Sequence, residues 1–336
     1  MWDSMGPAES AGWWPVASAD ALRDGQPQAV TLFDEPLVLW RDGAGRAVLQ
    51  RDRCPHRGAR LSLGRVCDDG TLQCPYHGWR FDGAGACVSV PALPAFRPTA
   101  AMSVVTLPLR EAHGLLWTTT GDVGSARLAE LPAGLPARRL ILGPFDVATS
   151  APRAVENFLD TAHFATVHAG WLGDAAHPEV PHHDVTHTAD GRPVVERYRA
   201  WQPRATASAD TGGWVVYRYE VLSPYAAMLT KQADADGAGP GAGVQDSYTI
   251  WACPTSDESC RLWFAQYTTD VNSTDDALMD FQSTIFSQDQ PVLESQRPRR
   301  LPVSDAAPRE LSTAADRLSM AYRRYLREAG VRVGVC

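Results

Sequence analysis

The sequence contains one lysine, Lys231, among its 31 basic residues, and it has no long hydrophobic run. The thirty arginines, together with abundant Ala, Gly and Pro, indicate the codon usage of a GC-rich genome and not a function. No apolar stretch approaches the roughly 20 residues that a transmembrane helix needs, so we expect no membrane span. The first residues, MWDSMGPAESAGWW, lack the basic and apolar regions of a secretory signal, and we therefore expect a cytoplasmic protein.

The chain also lacks a positive charge balance and an even set of cysteines. Its formal charge is −8, which argues against nucleic acid as the main partner because phosphate binding needs a basic surface. Seven cysteines are spread over 336 residues, so a disulfide framework is not expected. In a reducing cytosol, cysteines that cluster with histidines more often bind metal.

The length and the 44% hydrophobic content suit two globular domains. Residues 10–122 are predicted to form a small all-β domain. Within it, PLVLWRDGAGRAVLQ (36–50) has two apolar runs around a Gly-containing turn, which is typical of a β-hairpin, and residues 71–90 repeat this pattern. HGLLWTTT (113–120) is typical of a further strand.

Residues 123–336 are predicted to form a larger α+β domain, which begins with a Pro-, Ala- and Gly-rich linker at 123–139. Hydrophobic periodicity predicts helices at 151–170, 275–296 and 311–330. Strands rich in β-branched and aromatic residues are predicted at 213–222, 246–253 and 260–270, with a flexible loop at 233–243. Together these elements predict an antiparallel sheet with helices packed against it.

Cys54, His56, Cys74 and His77 form the first chemical pattern, within CPHRG and CPYHGW. Each segment supplies one cysteine and one histidine, whereas Cys₂His₂ zinc fingers group two cysteines and then two histidines. The alternation suits two irons of unlike ligation, with thiolates on one and imidazoles on the other, as in a Rieske [2Fe–2S] cluster. A structural zinc site is the competing interpretation.

Asp160, His163 and His168 form the second pattern, within ENFLDTAHFATVH. On a helix, Asp160 and His163 lie about 60° apart, whereas His163 and His168 lie about 140° apart. A straight helix therefore does not let both imidazoles bind one ion, and we predict either unwinding after Phe164 or a π-bulge. From the spacing alone, a metal site and ordinary packed or solvated histidines both remain open.

Asp289 is a candidate third ligand, because it occupies an apolar position of the helix predicted from Asp275. The apolar stripe of that helix is formed by Leu278, Phe281, Ile285 and Val292. A buried carboxylate is costly unless a positive group meets it, and non-heme iron(II) oxygenases bind iron through two histidines and one carboxylate. Pro291 is expected to kink the helix near this position.

Two further sets of residues have candidate roles around a pocket. A second histidine group lies in a polar, Pro-containing segment that predicts an exposed loop over the pocket mouth, with metal binding as the alternative: His177, His182, His183 and His187. Aromatic residues of the predicted strands are candidates to line the pocket, although core packing explains most of them: Trp214, Tyr217, Tyr219, Tyr248, Trp251, Trp263 and Phe264.

With both patterns in view, the chain resembles the large (α) subunits of the Rieske non-heme iron oxygenases. The segments CPHRG, CPYHGW, ENFLDTAHFATVH and SQDQPVLESQ carry the resemblance, in the family's order, from about Trp13 to the C-terminal helix. The compact length and the segment QDQPVLESQ are closest to the single-component-type members. These include the vanillate and dicamba O-demethylases and the pheophorbide oxygenases.

The resemblance implies a helix-grip (START-like) catalytic domain that encloses a large substrate cavity. In such a domain, His163, His168 and Asp289 would hold a mononuclear Fe(II). Asn157 matches a position at which family members often have a polar residue near the iron.

The resemblance also implies a role for Asp160 that is not metal ligation. The matching aspartate joins a Rieske histidine of one subunit, here His77, to an iron-ligand histidine of its neighbour, here His163. Because the two metal centres of one subunit are too far apart in these proteins for efficient electron transfer, the resemblance implies a homotrimer.

The expected reaction uses O₂ and electrons from NAD(P)H. No G-x-G-x-x-G fingerprint follows a predicted strand, so the electrons are expected to arrive through a separate reductase, with or without a ferredoxin. The expected activity is monooxygenation, by hydroxylation or oxidative demethylation, of an apolar, ring-containing small molecule such as a secondary metabolite. Arene cis-dihydroxylation remains one alternative, and an electron-transfer or sensor protein without oxygenase activity is another.

Overall fold

The computed structural model describes residues 5–23, 25–204, 212–234 and 245–336. Most of the loop predicted at 233–243 lies outside the described residues. The chain divides into two compact units, one containing residues 10–128 and the other containing residues 129–336 together with residues 5–9.

The first unit consists of short strands in three antiparallel sheets. The strands that the structure describes are β1 Trp13–Ser18, β2 Gln28–Leu32, β3 Glu35–Arg41, β4 Ala47–Arg51, β5 Arg65–Val66, β6 Leu72–Gln73, β7 Arg80–Phe81, β8 Cys87–Ser89, β9 Thr106–Leu107, β10 Leu109–Ala112 and β11 Leu115–Thr119. Their orders within the sheets are β1-β11-β10, β2-β3-β4-β9 and β5-β6-β7-β8.

The hairpins predicted for this unit are confirmed. Strands β3 and β4 pair from Leu37↔Arg51 to Arg41↔Ala47, with the DGAG turn between them. The second DGAG stretch joins β7 to β8, and the strand predicted at 113–120 is β11. The second hairpin is shorter than predicted, because residues 74–79 form a loop between β6 and β7 that carries Cys74 and His77.

The second unit is built on a seven-stranded antiparallel sheet with the order β12-β18-β17-β16-β15-β14-β13. Its strands are β12 Arg138–Val147, β13 Thr186–His187, β14 Pro193–Gln202, β15 Gly213–Ser223, β16 Ala226–Ala233, β17 Gln245–Pro254 and β18 Cys260–Thr268. The three strands predicted from aromatic and β-branched content are therefore confirmed as β15, β17 and β18. The helices of the chain are α1 Pro7–Ser10, α2 Ala151–Leu159, α3 Phe164–Val167, α4 Asp275–Ser295 and α5 Arg317–Glu328. The α+β architecture predicted for this domain is confirmed.

The single helix predicted over 151–170 is wrong, and so are both predicted distortions, which were unwinding after Phe164 or a π-bulge. Helix α2 ends at Leu159, and Asp160 adopts an extended conformation with φ −81° and ψ 131°. The Asp160 carboxylate accepts a hydrogen bond of 2.8 Å from the Ala162 backbone N–H, an alternative to helical pairing that short polar side chains offer. The break therefore precedes His163.

Helix α4 starts at the predicted residue and ends one residue earlier than predicted, and its buried face differs from the predicted stripe at more than one residue, since Phe286 is also buried. Thr274 caps its start by accepting from Ala277 N–H, and the helix continues through Pro291 to Ser295. Asp289 is buried as predicted, whereas Val292 is 43% exposed and Leu293 is buried in its place. The four-residue steps from Ile285 to Asp289 and Leu293 keep these side chains on one face.

The last predicted helix begins later than expected. Thr313 and Asp316 form a capping box around a 3₁₀ turn at Ala314–Asp316, so α5 starts at Arg317 and not at residue 311. None of the helices within the described ranges has the length and apolar character that a membrane crossing requires.

Candidate metal centres and substrate cavity

Two similar loops bring Cys54, His56, Cys74 and His77 together in the first unit. In the first loop, Cys54 N–H donates to Ala59 O and Gly58 N–H to Cys54 O; in the second, Cys74 N–H donates to Trp79 O and Gly78 N–H to Cys74 O. Both glycines have positive φ, at 71° and 69°, which a Cβ would make unfavourable. The His56 and His77 ring centroids lie 4.6 Å apart.

The four side chains divide into a buried pair and an exposed pair. Cys54 and Cys74 are 1% and 2% exposed and belong to the hydrophobic core of their unit, whereas His56 and His77 are exposed. Burial raises the pKa of the Cys54 thiol to about 11, with the neighbouring Cys74 acting in the same direction. A metal cation is therefore needed to hold the Cys54 sulfur as a thiolate. Paired thiols inside and paired imidazoles outside fit two irons of unlike ligation.

Cys67 and Cys87 lie outside this pattern. Cys87 is buried and packs in the same core. Cys67 is half-buried and its backbone closes a turn with Thr71.

The turn after α2 places a second set of side chains in the larger unit. Asp160 Oδ2 lies 3.3 Å from His163 Nδ1, and His168 follows directly after the short helix α3. His163 and His168 stand with their ring centroids 5.0 Å apart, although a continuous helix would have directed them to different faces. The helix break at Asp160 therefore allows both imidazoles to approach one ion, which a straight helix would prevent.

Asp289 from α4 completes this set. Its Oδ1 atom lies 3.5 Å from His163 Nε2 and 3.2 Å from His168 Nε2. One ligand atom from each of the three residues lies within 4.8 Å of the other two. Asn157 donates a hydrogen bond of 3.3 Å to the same carboxylate, so its link to the three candidate ligands is through Asp289.

Hydrogen bonds on the far side of each ring determine what the ring nitrogens present to the centre. The Gln288 side-chain oxygen accepts from His168 Nδ1 at 2.7 Å, and the Asp160 carboxylate accepts from His163 Nδ1. Both Nε2 atoms then carry lone pairs and face the Asp289 carboxylate. Three acceptors that converge in this way repel one another unless a cation lies between them, and two histidines with one carboxylate form the facial donor set of non-heme iron(II).

A cavity with an empty volume of about 820 Å³ borders these three residues. Helices α2 and α4 and the sheet surround it. Most of its wall is apolar, with side chains that include Phe158, Phe164, Leu229, Ile250, Phe264 and Phe286. Polar groups reach it from Asn157, Gln282, Tyr217, Tyr248 and Lys231. This combination suits an apolar ring compound with a few polar substituents.

Three of the seven aromatic pocket candidates line the cavity: Tyr217, Tyr248 and Phe264. Tyr219, Trp251 and Trp263 are buried and are not among its lining residues, and Trp214 is 41% exposed and lines a neighbouring cavity. Strand pairing places Trp251 opposite Trp263. Each is one residue away from the cavity-lining Ile250 or Phe264, so alternation directs both to the other face of the sheet.

The second histidine group is only partly the exposed loop that its sequence predicts. His177, His182 and His187 are exposed, and His177 lines the neighbouring cavity, which shares Phe164 and Leu172 with the first. His183 is buried, because its Nδ1 bonds to Pro181 O and its ring packs against Tyr198. In the described part of the chain, the side chains close enough together to bind one metal ion are His163, His168 and Asp289. No histidine of the second group belongs to this set.

Several residues of the site were not predicted from the sequence, among them Gln288 and Lys231. Gln288, which orients His168, lies three residues after Ile285 and seven after Phe281, so a polar side chain on the apolar stripe was a usable signal. Lys231 was attributed to codon usage alone, yet it is buried and lines the cavity. The alternation of β16 offered no warning, because the strand was not predicted.

Both units are similar to known proteins. Residues 12–108 match the family model described as "Rieske [2Fe-2S] domain", and residues 147–332 match "Vanillate O-demethylase oxygenase C-terminal domain". Methylxanthine N3-demethylase NdmB of Pseudomonas putida is 31% identical, over 94% of this chain and 88% of that protein. Oxidoreductase NdmD of the same organism is 41% identical over 33% of this chain and 19% of its own length.

Solved structures give the same result for the whole chain. The structure of NdmA from Pseudomonas putida CBB5 with caffeine has a TM-score of 0.75 and 30% identity, and it covers 95% of this chain and 90% of NdmA. The similarity therefore extends over both units and both sets of candidate ligands.

Proposed function

Because the chain belongs to the Rieske non-heme iron oxygenases, among their large (α) subunits, we propose that it oxidatively demethylates an apolar, ring-containing small molecule. Membership makes it an oxidoreductase, and the relatives reported above favour monooxygenation over dihydroxylation. Demethylation is the finer step. It is supported by the match of residues 147–332 to a demethylase domain and by the demethylase names of NdmB and its kin.

The cofactors are a Rieske [2Fe–2S] cluster and a mononuclear non-heme iron, and a separate reductase supplies electrons from NAD(P)H. We assign the cluster to Cys54, His56, Cys74 and His77. The mononuclear iron is assigned to a second set of ligands, His163, His168 and Asp289. When bound, the two groups together supply the one-electron steps that activate O₂. A ferredoxin between the reductase and the cluster is compatible with this proposal.

The convergence of three acceptor atoms beside an apolar cavity carries this proposal. Gln288 and Asp160 hold the two imidazoles in the tautomer that presents Nε2 to the metal. The aromatic and aliphatic wall positions a ring and keeps water from the reacting carbon. In the overall reaction, O₂, two electrons and two protons convert an O- or N-methyl group into formaldehyde and water, leaving O–H or N–H on the ring.

Product analysis tests the proposal. The protein, a surrogate reductase, NADH and ¹⁸O₂ are incubated with a pool of O- and N-methylated ring compounds, and mass spectrometry follows the products. We expect one formaldehyde for each NADH that is used productively, with one ¹⁸O atom bound to the hydroxymethyl carbon before formaldehyde leaves. Ring hydroxylation with the methyl group retained, or incorporation of both oxygen atoms into one product, would contradict demethylation.

A matched control separates the oxygenase from an electron carrier. We expect three irons per chain, and His163→Ala should lose one of them together with turnover, while the paramagnetic signal of the reduced cluster survives. A wild-type protein with only two irons per chain would favour the electron-transfer alternative.

The proposal extends to assembly and location. The cluster domain is assigned to residues 10–122 and the catalytic domain to residues 123–336, in a cytoplasmic homotrimer. Asp160 supports the trimer, because one carboxylate oxygen accepts from Ala162 N–H and the other meets His163, while the side chain remains 29% exposed. We propose that it accepts a second imidazole, from His77 of the partner subunit.

A further inference from the structure

Lys231 is the sole lysine of the chain, and it lies in the wall of the cavity beside the candidate iron ligands. Its side chain is 5% exposed. Among the cavity-lining residues that the structure describes, it is the only lysine or arginine. In a sequence that otherwise uses arginine for every basic position, a lysine at this one place requires a separate explanation.

The sheet determines the surroundings of Lys231. On β16 it pairs with Tyr217 of β15 on one side and with Asp246 of β17 on the other. Leu229, two residues earlier, lines the same cavity, so both side chains project from one face of the strand. The ammonium therefore extends from the sheet into the space enclosed by α2 and α4.

The neighbouring polar groups are already engaged with one another. The Tyr217 hydroxyl bonds to Gln202, and Gln266 Nε2 donates to Tyr248 Oη at 3.1 Å and approaches Asp246 Oδ1 at 3.5 Å. Over the described residues, Lys231 forms no ion pair within 4 Å and no side-chain hydrogen bond. Asp246 is its directly paired acidic neighbour, but the two side chains are not in salt-bridge contact.

A buried ammonium without a contacting partner is unfavourable. Burial lowers the pKa of Lys231 to about 8, while the charge of Asp246 acts in the opposite direction. The group is therefore still mainly protonated near neutral pH and carries a charge that the wall of the cavity does not balance by contact. A neutral carbonyl of a ligand would accept a hydrogen bond from the ammonium but would not balance its positive charge. An anionic oxygen group would accept the hydrogen bond and also balance the charge.

We propose that Lys231 binds an anionic oxygen group of the substrate, so that the cavity selects ring compounds that carry a carboxylate or a similar acidic group. The inference rests on the proposed function, since it names the substrate class of that same cavity. A ring acid held by Lys231 at the sheet would have its remaining atoms against Phe264, Phe286 and Ile250. Lys231 would then determine which end of the ring faces the metal ligands.

Binding of matched probes to the metal-loaded protein tests this assignment. The probes are 4-methoxybenzoate and 6-methoxy-2-naphthoate, each compared with its neutral amide, in isothermal titration calorimetry at pH 7 without reductant. For at least one pair, we expect the acid to bind about tenfold or more tightly than the amide. Lys231→Met should abolish this preference while changing amide affinity less than about threefold. Gln282→Met, which alters another polar residue of the wall, should preserve the preference.

The single lysine also allows a direct chemical readout. Reductive methylation labels Lys231 and the N-terminal amine alone, so peptide mass spectrometry measures the reaction rate at one side chain. We expect the bound acid to slow methylation of Lys231 at least severalfold, and the amide at equal occupancy to protect it much less, because only the anion contacts the ammonium.

The outcomes separate this inference from the proposed function. Equal affinity for acid and amide in every pair, or a preference that survives Lys231→Met, would overturn the role of Lys231. Neither measurement requires a reductase, O₂ or turnover. Failure to demethylate a tightly bound acid would therefore count against the reaction and not against the anion site.

Discussion

At the scale of single residues, the candidate iron site depends on side chains that do not touch the metal. Gln288 and Asp160 each accept a hydrogen bond from the Nδ1 side of a histidine, and Asn157 donates to Asp289. Such partners fix the tautomer and orientation of a ligand before the metal binds. Of the two acceptors, Gln288 acts through the more buried ring, because His168 is 1% exposed.

Removing the Gln288 carbonyl should therefore weaken iron binding. In Gln288→Leu, the His168 Nδ1–H loses its buried acceptor, and we expect the mononuclear iron to be held about 10- to 100-fold less tightly. Iron retained after dialysis against a graded series of chelator concentrations measures the effect. Gln290→Leu is the matched control, since Gln290 lies on the same helix but bonds to Asp146 O and Glu294. Equal iron loss in both variants would refute the orienting role.

At the scale of elements, a partly buried charge network fixes helix α2, which ends beside the candidate iron site. Arg323 of α5 contacts both carboxylate oxygens of Glu156 at 2.5 and 2.7 Å and reaches Glu310 at 2.6 Å. Arg153, on the same helix as Glu156, contacts the other oxygen of Glu310 at 2.5 Å. The network thus joins α2, α5 and the segment that precedes α5.

Arg323→Met should destabilise the protein, and more so at higher pH. Burial raises the pKa of Glu156 even with Arg323 beside it, and loss of the arginine raises that pKa further. Between the unfolded and folded pKa values the folded state binds more protons, so the free energy of unfolding falls as pH rises through that interval. We expect a loss of about 3 kcal/mol at pH 8 and a smaller loss at pH 5, measured by urea denaturation.

Two further variants make this prediction specific. Arg324→Met changes an exposed neighbour and should alter stability by no more than about 0.5 kcal/mol. Adding Glu156→Gln to Arg323→Met should remove the excess pH dependence, because the buried carboxyl no longer titrates. A pH slope that persists in the double variant would place the titrating group elsewhere.

Local sequence patterns predicted the secondary-structure elements well, whereas contacts between distant residues were predicted poorly. Alternating aromatic and β-branched residues identified β15, β17 and β18, and the three- and four-residue periodicity placed Asp289 on the buried face of α4. The helix break at Asp160 was not predicted. It arises because the Asp160 carboxylate competes with the backbone for Ala162 N–H, and hydrophobic periodicity contains no information on such competition.

Apart from the two predicted sets of metal ligands, contacts between distant residues had no sequence signal. Glu9 is fully buried and accepts hydrogen bonds from Tyr225 Oη and from the backbone N–H groups of Arg332 and Val333, which lie 216 to 324 positions away in the sequence. The segment that ends at Glu9 therefore belongs to the larger unit, although the sequence around it reads as the start of the first. Lys231 escaped for a related reason: its burial follows from strands that meet only in the folded sheet.

At the scale of the whole molecule, each active site of the proposed trimer would depend on two subunits, because the cluster of one would supply electrons to the iron of the next. The Asp160 carboxylate contacts His163 within its own chain and stays partly exposed, and the rings of His56 and His77 are exposed as well. An electron path that crosses between subunits would use these exposed groups. An oxygenase that transferred electrons within one chain would not depend on assembly.

Complementation between two inactive variants distinguishes these routes. Cys74→Ser removes a cluster ligand and His163→Ala removes an iron ligand, so neither variant alone should turn over. When the two are co-expressed with different affinity tags, trimers that carry both tags are isolated. In a ring of three, every mixed composition has a single junction at which an intact cluster faces an intact iron site, so we expect about one third of wild-type activity per trimer. Metal content of the mixed trimers must show that both kinds of centre are present. If they are present and activity is absent, electrons do not pass from one subunit to the next, and the role proposed for Asp160 is wrong.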